Sequence, residues 1–368
     1  MQYAAGDPMF IALTIATLFV VVVTLLPILK CTHWTVRVMD FPRVQIAFCA
    51  ALTLMLQFCV LPSQPILTAL FILLTALCLL WQLWWVVPYT RLWPVETKAC
   101  KTQDVNKQLS IMTSNVLQTN RNSDALIEIV NDYKPDILVT LESDTWWESR
   151  LSVLSAHMPY SVKCPLDNLY GMHVYSRLPF SDSVISYLVE DDVPSIHLLL
   201  ELRTGDKVQM HFVHPAPPSP TENTESAERD AELIVIAKRV AQTQQAVVVT
   251  GDLNDVAWST STRLFRKISG LLDPRIGRGM FNTFHVKYPF LRWPLDHLFH
   301  SSHFTVKAIK RLPSIGSDHF PLLTVLVFDP ESSADQEGLT ADRDDHIEAN
   351  KTAQAEQVSE ADVPALSG

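Results

Sequence analysis

Two kinds of hydrophobic pattern divide this chain. In its first quarter apolar residues run on unbroken: Phe10 to Leu29, Val44 to Leu61 and Ile66 to Val87 contain no charged side chain. Each approaches the roughly 20 residues a helix needs to cross a hydrocarbon core. From Leu109 onward the apolar runs shrink to strand length and alternate with amphipathic stretches. LSIMTSNV and DILVTLES read as strands on either side of a helix in SDALIEIVNDYKP. GMHVYSRLPF reads as strand and turn, and SIHLLLEL with KVQMHFVH as a hairpin around Gly205 and Asp206. A helix over Ser226 to Gln244, a buried strand in AVVVTGDLN, and strands in LDHLFHS, FTVKAIKRL and FPLLTVLVF complete the pattern. Helix-separated strands and adjacent antiparallel strands both occur. The fold class this predicts is α/β (α+β): two packed β-sheets flanked by helices, preceded by three transmembrane helices.

The pattern sets the domain organisation: a membrane anchor over residues 1–90, a polar linker over 91–107 with Pro94 inside it, a domain over 108–330, and a tail over 331–368. The tail is rich in Ala, Asp, Glu, Ser and Gln, a composition that predicts disorder. A cleaved signal peptide fits poorly, because Asp7 is the only charge before Phe10 and two more apolar runs follow. Trp81, Trp84, Trp85 and Tyr89 cluster at the end of the third run, where amphipathic rings favour the membrane interface. Lys30, Arg37 and Arg43 fall in the first loop, no charge falls in Pro62 to Pro65, and Arg91, Lys98 and Lys101 follow the third run. By the positive-inside rule the amino terminus lies outside and the domain is cytoplasmic, in a multi-pass protein of a cell inner membrane.

The net charge of -10 is unevenly spread. Residues 1–90 carry +1, residues 91–330 carry -3 (24 basic, 27 acidic), and residues 331–368 carry -8 (two basic, ten acidic). The acidity is thus mostly in the tail and does not oppose a phosphate-bearing substrate. No basic stripe marks a tight duplex binder. The six cysteines show no CxxC spacing, so neither a zinc site nor a disulfide framework is indicated.

What stands out is the residue type that ends the apolar runs: Asn115, Glu142, His214, Asp252 with Asn254, Asp296, and Asp318 with His319. Strands that close on carboxylates, amides and imidazoles deliver oxygen and nitrogen ligands to one rim of a sheet, a setting for a hard divalent cation and a phosphate ester. Gly251 allows a tight exit from its strand, after which Asp252 and Asn254, two apart, can hold a water beside a phosphate. Asp296 is placed to fix the tautomer of His319, and His214 precedes a stiff proline loop. Glu142 is the candidate principal metal ligand, with Asn115 and Asp318 beside it. His211 and His297 are expected to be structural, Ser176 and Arg177 weak candidates, and Arg229 part of a solvated helix face.

Taken in order, Asn115, Glu142, the SRLPF turn, His214, Asp252 with Asn254, Asp296, and Asp318 with His319 resemble the endonuclease/exonuclease/phosphatase (DNase I-like) superfamily over Leu109 to Phe328. The resemblance implies a four-layer sandwich and Mg2+ or Mn2+ dependent hydrolysis. In it Glu142, Asn115 and Asp318 correspond to the metal site, and Asp252, Asn254, His214, Asp296 and His319 to the catalytic groups. Val116 and Leu117 stand where abasic-site endonucleases usually carry aspartate and glycine, and His214 is nearer the DNase I and neutral sphingomyelinase branch. The triple-span anchor looks like a bacterial, membrane-tethered subgroup. The expected function is a membrane-anchored phosphodiesterase of endo/exonuclease type acting on a nucleic acid. The alternatives are a phospholipid or sphingolipid headgroup hydrolase and a non-enzymatic membrane module. The bilayer is the other expected partner, and no protein partner is expected.

Overall fold

A computed structural model of the chain describes residues 8–29, 31–60 and 65–366. Lys30, Leu61 and most of the second predicted loop lie outside the described residues. The first quarter forms helices α1 (Pro8–Leu25), α2 (Trp34–Arg37), α3 (Arg43–Val60) and α4 (Pro65–Val86). Pro8–Ile28 and Ile66–Tyr89 are long and apolar enough to cross a membrane. The middle run qualifies only if Trp34–Asp40 and Arg43–Cys59 count as one span bent by 70°. Of the three predicted spans, two are present as helices long and apolar enough to cross a membrane, and the third meets that standard only as the bent pair. Several polar side chains in these helices bond to one another, which offsets the cost of removing them from water. Gln57 donates to Thr17 (2.8 Å) and Thr75 (3.0 Å), and Gln82 donates to Thr24 (3.0 Å).

The rest of the chain contributes β1 (Gln108–Asn115), α5 (Ser123–Tyr133), β2 (Ile137–Leu141), α6 (Thr145–Leu151), β3 (Tyr160–Cys164), β4 (Met172–Ser176) and β5 (Phe180–Ser186). These are followed by β6 (Ser195–Glu201), β7 (Lys207–Val213), α7 (Ala227–Ala241), β8 (Ala246–Asp252), α8 (Thr260–Ser269), β9 (Asp296–His300), β10 (Phe304–Arg311), β11 (Leu322–Phe328) and α9 (Arg343–Ala355). One sheet has the order β10-β11-β1-β2-β4-β3 and the other β5-β6-β7-β8-β9. Both are mixed. β1 and β2 run parallel, as do β7 and β8, and the remaining pairs are antiparallel.

Alternation along each strand separates the layers. Leu109, Ile111, Val139, Val174, Leu198, Met210 and Val248 fill the space between the sheets. Met112 and Leu138 point outward under α5 and α6, while Val247 and Val249 point outward under α7 and α8. The result is helices, sheet, sheet, helices, the four layers the sequence predicts. Strands β3 and β5 were hidden in the sequence, because β5 is largely exposed and shows no apolar face.

Two expectations need correction. The tail is not disordered: Asp342 closes a capping box on α9, and Ala349, Ala353 and Val363 are buried against α7 and α8. Ala349 and Ala353, four apart, share one face of α9, which composition alone does not reveal. Residues 91–107 are not a free connector either. Lys98 and Cys100 exchange backbone hydrogen bonds with Val306, and Glu96 pairs with the buried Arg266.

Candidate active site

The parallel pairs explain why distant residues converge. Asn115 ends β1, Glu142 follows β2, His214 follows β7 and Asp252 ends β8, so all four lie at the carboxyl ends of strands running the same way. β9 is antiparallel to β8 with Asp296 opposite Asp252, and β11 is antiparallel to β1 with Leu322 opposite Thr113. Strand starts therefore meet strand ends, and Asp296, Asp318 and His319 arrive at the same rim. Just beneath it Thr113 and Thr250 bond across the two sheets at 3.0 Å. Near the end of β8, a Cβ on Gly251 would lie 1.8 Å from the Val213 carbonyl oxygen, so no other residue fits there.

The side chains are joined directly. The Asn115 amide donates to Glu142 Oε1 (2.7 Å) and Asp252 Oδ2 (3.2 Å), while its oxygen accepts from the Leu117 amide (3.0 Å). Asp252 Oδ1 accepts from the Asn254 backbone N–H (2.9 Å). The Asn254 side chain donates to the Pro215 carbonyl (3.0 Å), tying the loop after β8 to the loop behind His214. His319 lies between two carboxylates, Nδ1 2.8 Å from Asp296 and Nε2 3.4 Å from Asp252. Ser317 donates to the Asn115 carbonyl (2.8 Å) and accepts from the His319 backbone N–H (3.0 Å), which sets the turn that carries Asp318. Glu142 has φ +58° and Asn254 φ +50°, left-handed conformations that non-glycine residues hold only when their surroundings impose them.

Burial gives the rim its electrostatics. It lowers His319, but the Asp252 and Asp296 carboxylates outweigh it and raise the ring to about 10, so an imidazolium is the favoured form. Burial pushes Asp296 up, opposed by the same imidazolium. Asp252 falls below the usual carboxylate value because His319 and the Asn254 and Asn115 donors overcome its burial. Burial, reinforced by Asp318 and Asp252, pushes Glu142 up to about 7 despite the Asn115 hydrogen bond. His214, buried beside the Tyr170 ring at 5.4 Å, is held down to about 4 and is neutral.

Residues 112–319 match the model of the Endonuclease/Exonuclease/phosphatase family, more than half of the chain. The chain belongs to this family. Its members are phosphoester hydrolases, typically dependent on a divalent metal. A search of curated proteins finds no match. Among solved structures, the catalytic domain of human Nocturnin with bound sulfate is 18% identical, with a TM-score of 0.50 over 60% of this chain and 94% of that one. An endonuclease/exonuclease/phosphatase protein of Beutenbergia cavernae is 16% identical (TM-score 0.49, 61% and 72% covered). D. rerio TDP2 complexed with single strand DNA product is 17% identical (TM-score 0.49, 60% and 98% covered). At such identities the likeness is one of fold.

All eight residues that sequence reasoning selects for the family's site lie at this rim. Asp252, Asp296 and His319 offer ligand atoms within 4.8 Å of one another, as a metal cluster would. The contacts of His319 give a different account: the protonated ring lies between the two carboxylates and offsets their charge. The remaining oxygen donors at the rim are Glu142 and its neighbour Asp318, which share the His319 charge with Asp252 and Asp296. His211 and His297 are structural, as expected. His211 contacts His197 (2.8 Å), and His297 contacts Arg275 (2.8 Å) and the Asp255 carbonyl (2.9 Å).

Arg229 is a correction. It is not on a solvated face but 1% exposed beneath the loop after β8. It donates to the Asn254 carbonyl (2.9 Å) and pairs with Asp230 (2.9 Å) and Asp255 (3.4 Å). Removing one partner of such a buried set costs about 3–5 kcal/mol, which marks Arg229 as a support of that loop. Sequence reasoning also missed Ser317, Arg275 and Asp273. For Arg229 the signal available was the second aspartate of GDLND, Asp255, which pairs with it at 3.4 Å.

Proposed function

We propose that this chain is a membrane-tethered, divalent-metal-dependent phosphodiesterase. The observation that carries the reading is the ordered contact Asp296–His319–Asp252 beside Glu142. Glu142 and Asp318 would hold Mg2+ or Mn2+, with Asn115 setting the Glu142 carboxylate in place. The donor set fits: hard oxygen donors, and a carboxyl raised to about 7 by burial and by its negative neighbours. When bound, the ion supplies positive charge to a phosphoryl oxygen.

The chain's own groups do the rest. Asp252, kept ionised, accepts a hydrogen bond and then a proton from the attacking water, and the Asn254 N–H fixes the carboxylate that does so. The His319 imidazolium, turned by Asp296, donates from Nε2 to a nonbridging oxygen as charge builds on phosphorus. His214, neutral, contributes a hydrogen bond near the leaving oxygen rather than a charge.

The substrate is a phosphodiester, in the first instance of a nucleic acid, endo or exo. A second reading, a lipid headgroup, is favoured by the contact between the site's outer loop and α3 described below. The tether rests on the two long apolar helices, and a cytoplasmic domain in an inner membrane rests on Arg37, Arg43, Arg91 and Lys98. The test is hydrolysis by the full-length protein in lipid nanodiscs, with Mg2+ or with EDTA, of single-stranded DNA, plasmid DNA and mixed phospholipid vesicles. Expected are turnover that EDTA abolishes and a loss of about 10²-fold or more in His319→Ala. Metal-independent turnover, or full activity in that variant, overturns the reading.

A further inference from the structure

One segment beside the site does not behave like a water-facing loop. Phe284 to Trp293 (FHVKYPFLRW) leaves and rejoins the domain through backbone hydrogen bonds between Phe284 and Trp293. Its inner arm is built into the active-site turn. Val286 N–H donates to the Asp318 carbonyl (2.8 Å), and the Phe284 ring lies 4.9 Å from the His319 ring. Its outer part carries Phe290 at 87%, Tyr288 at 56% and Leu291 at 49% exposure. An aromatic cluster left open in this way marks a contact surface.

The far side of the loop touches the apolar helices. Gln45, in the first turn of α3, donates from Nε2 to the Phe290 carbonyl (2.6 Å), and Trp293 meets Phe41 edge-on at 5.6 Å. The exposed Phe290 therefore sits level with the start of α3, whose own Val44 and Phe48 face outward. The segment has Lys287 and Arg292 and no acidic residue. Aromatic rings flanked by cations are the composition that settles at a lipid headgroup boundary.

We infer that the 286–291 loop tip is seated in the headgroup zone of the bilayer that holds α3, making the wall of the active site beside His319 a membrane contact. The inference rests on the tethered reading above, and the experiment separates the two. The full-length protein with Cys31, Cys49, Cys59 and Cys100 changed to Ala is reconstituted in phosphatidylethanolamine/phosphatidylglycerol nanodiscs. A polarity-sensitive fluorophore is attached in turn at Phe290→Cys, Tyr288→Cys, Phe48→Cys on α3, and Val105→Cys at the far end of β1. Quenching by lipids spin-labelled near the headgroup is then read.

Expected is quenching at 290 and 288 at least about twofold stronger than at 105, with blue-shifted emission, as at 48. Position 288 serves as an independent readout should the 290 variant not fold. Quenching at 48 with 290 and 288 behaving like 105 overturns the loop assignment alone. No quenching at 48 overturns the tether, and the loop assignment with it.

Discussion

Asp296→Asn is the perturbation that most directly interrogates the site. His319 is raised from 6.5 to about 10, which at ~1.4 kcal/mol per unit amounts to roughly 5 kcal/mol in favour of the charged ring. Two carboxylates share that preference, Asp296 at 2.8 Å and Asp252 at 3.4 Å. If the nearer one supplies about half, neutralising it moves the alkaline limb governed by His319 down by roughly two pH units. The variant should then lose about tenfold more activity at pH 9 than at pH 7, whereas the native protein falls little between those values. A pH-independent loss on the order of 10²-fold should accompany this, because the ring is no longer held in one orientation. The assay is kcat and kcat/KM from pH 6 to 10 at saturating Mg2+, with imidazole nitrogen shifts by NMR as a direct reading of the ring. A variant profile that superimposes on the native one after scaling would refute the claim that Asp296 holds the proton on His319.

Acid should destabilise the domain through its buried imidazoles. Burial holds His211, His297 and His300 down to about 4, about 3 and about 4. The unfolded chain takes up these protons near pH ~6.5 and the folded one does not, so the stability they leave intact above that pH is lost as pH falls toward 4. Asp273, held down to about 2 by Arg275 and Arg266 against its burial, acts lower, its contribution fading only between pH ~4 and 2. Urea unfolding at pH 7, 5.5 and 4.5 should show a fall of several kcal/mol, and a flat result would mean these imidazoles are not buried neutral. Deleting residues 341–368 should lower stability by about 2–3 kcal/mol, since it uncovers the face met by Ala349, Ala353 and Val363 and removes the Lys267–Asp345 pair. An unchanged melting temperature in that deletion would argue against a docked α9.

The rim was legible in the sequence because strand geometry does the sorting. A residue that ends a buried strand can only project from the sheet edge, so Asn115, Glu142, Asp252 and Asp296 announce themselves by position and type together. The two sheets were legible through the short apolar runs that form β6, β7 and β8. What escaped was what depends on partners far away in the chain. Arg229 looks like an exposed helix arginine until Asp255 and the Asn254 carbonyl are brought under it. The tail looks disordered by composition, although three small apolar residues at the right spacing suffice once α7 and α8 present a matching face. Strand β5 lies at a sheet edge with little to bury, which removes the pattern on which its recognition depends.

The loop carrying Asp252 and Asn254 does not stop at the rim. Four residues past Asn254, the Trp258 indole donates to the Asp40 carbonyl (2.9 Å) and its ring meets Tyr89 at 5.9 Å, while the Tyr89 hydroxyl donates to the Ala257 carbonyl (2.5 Å). A fragment cut at residue 91 to ease purification would therefore be missing one wall of the loop that carries Asp252 and Asn254. Rates measured on such a fragment would describe a protein with a loosened Asp252, and a feeble value would reflect the scissors rather than the enzyme.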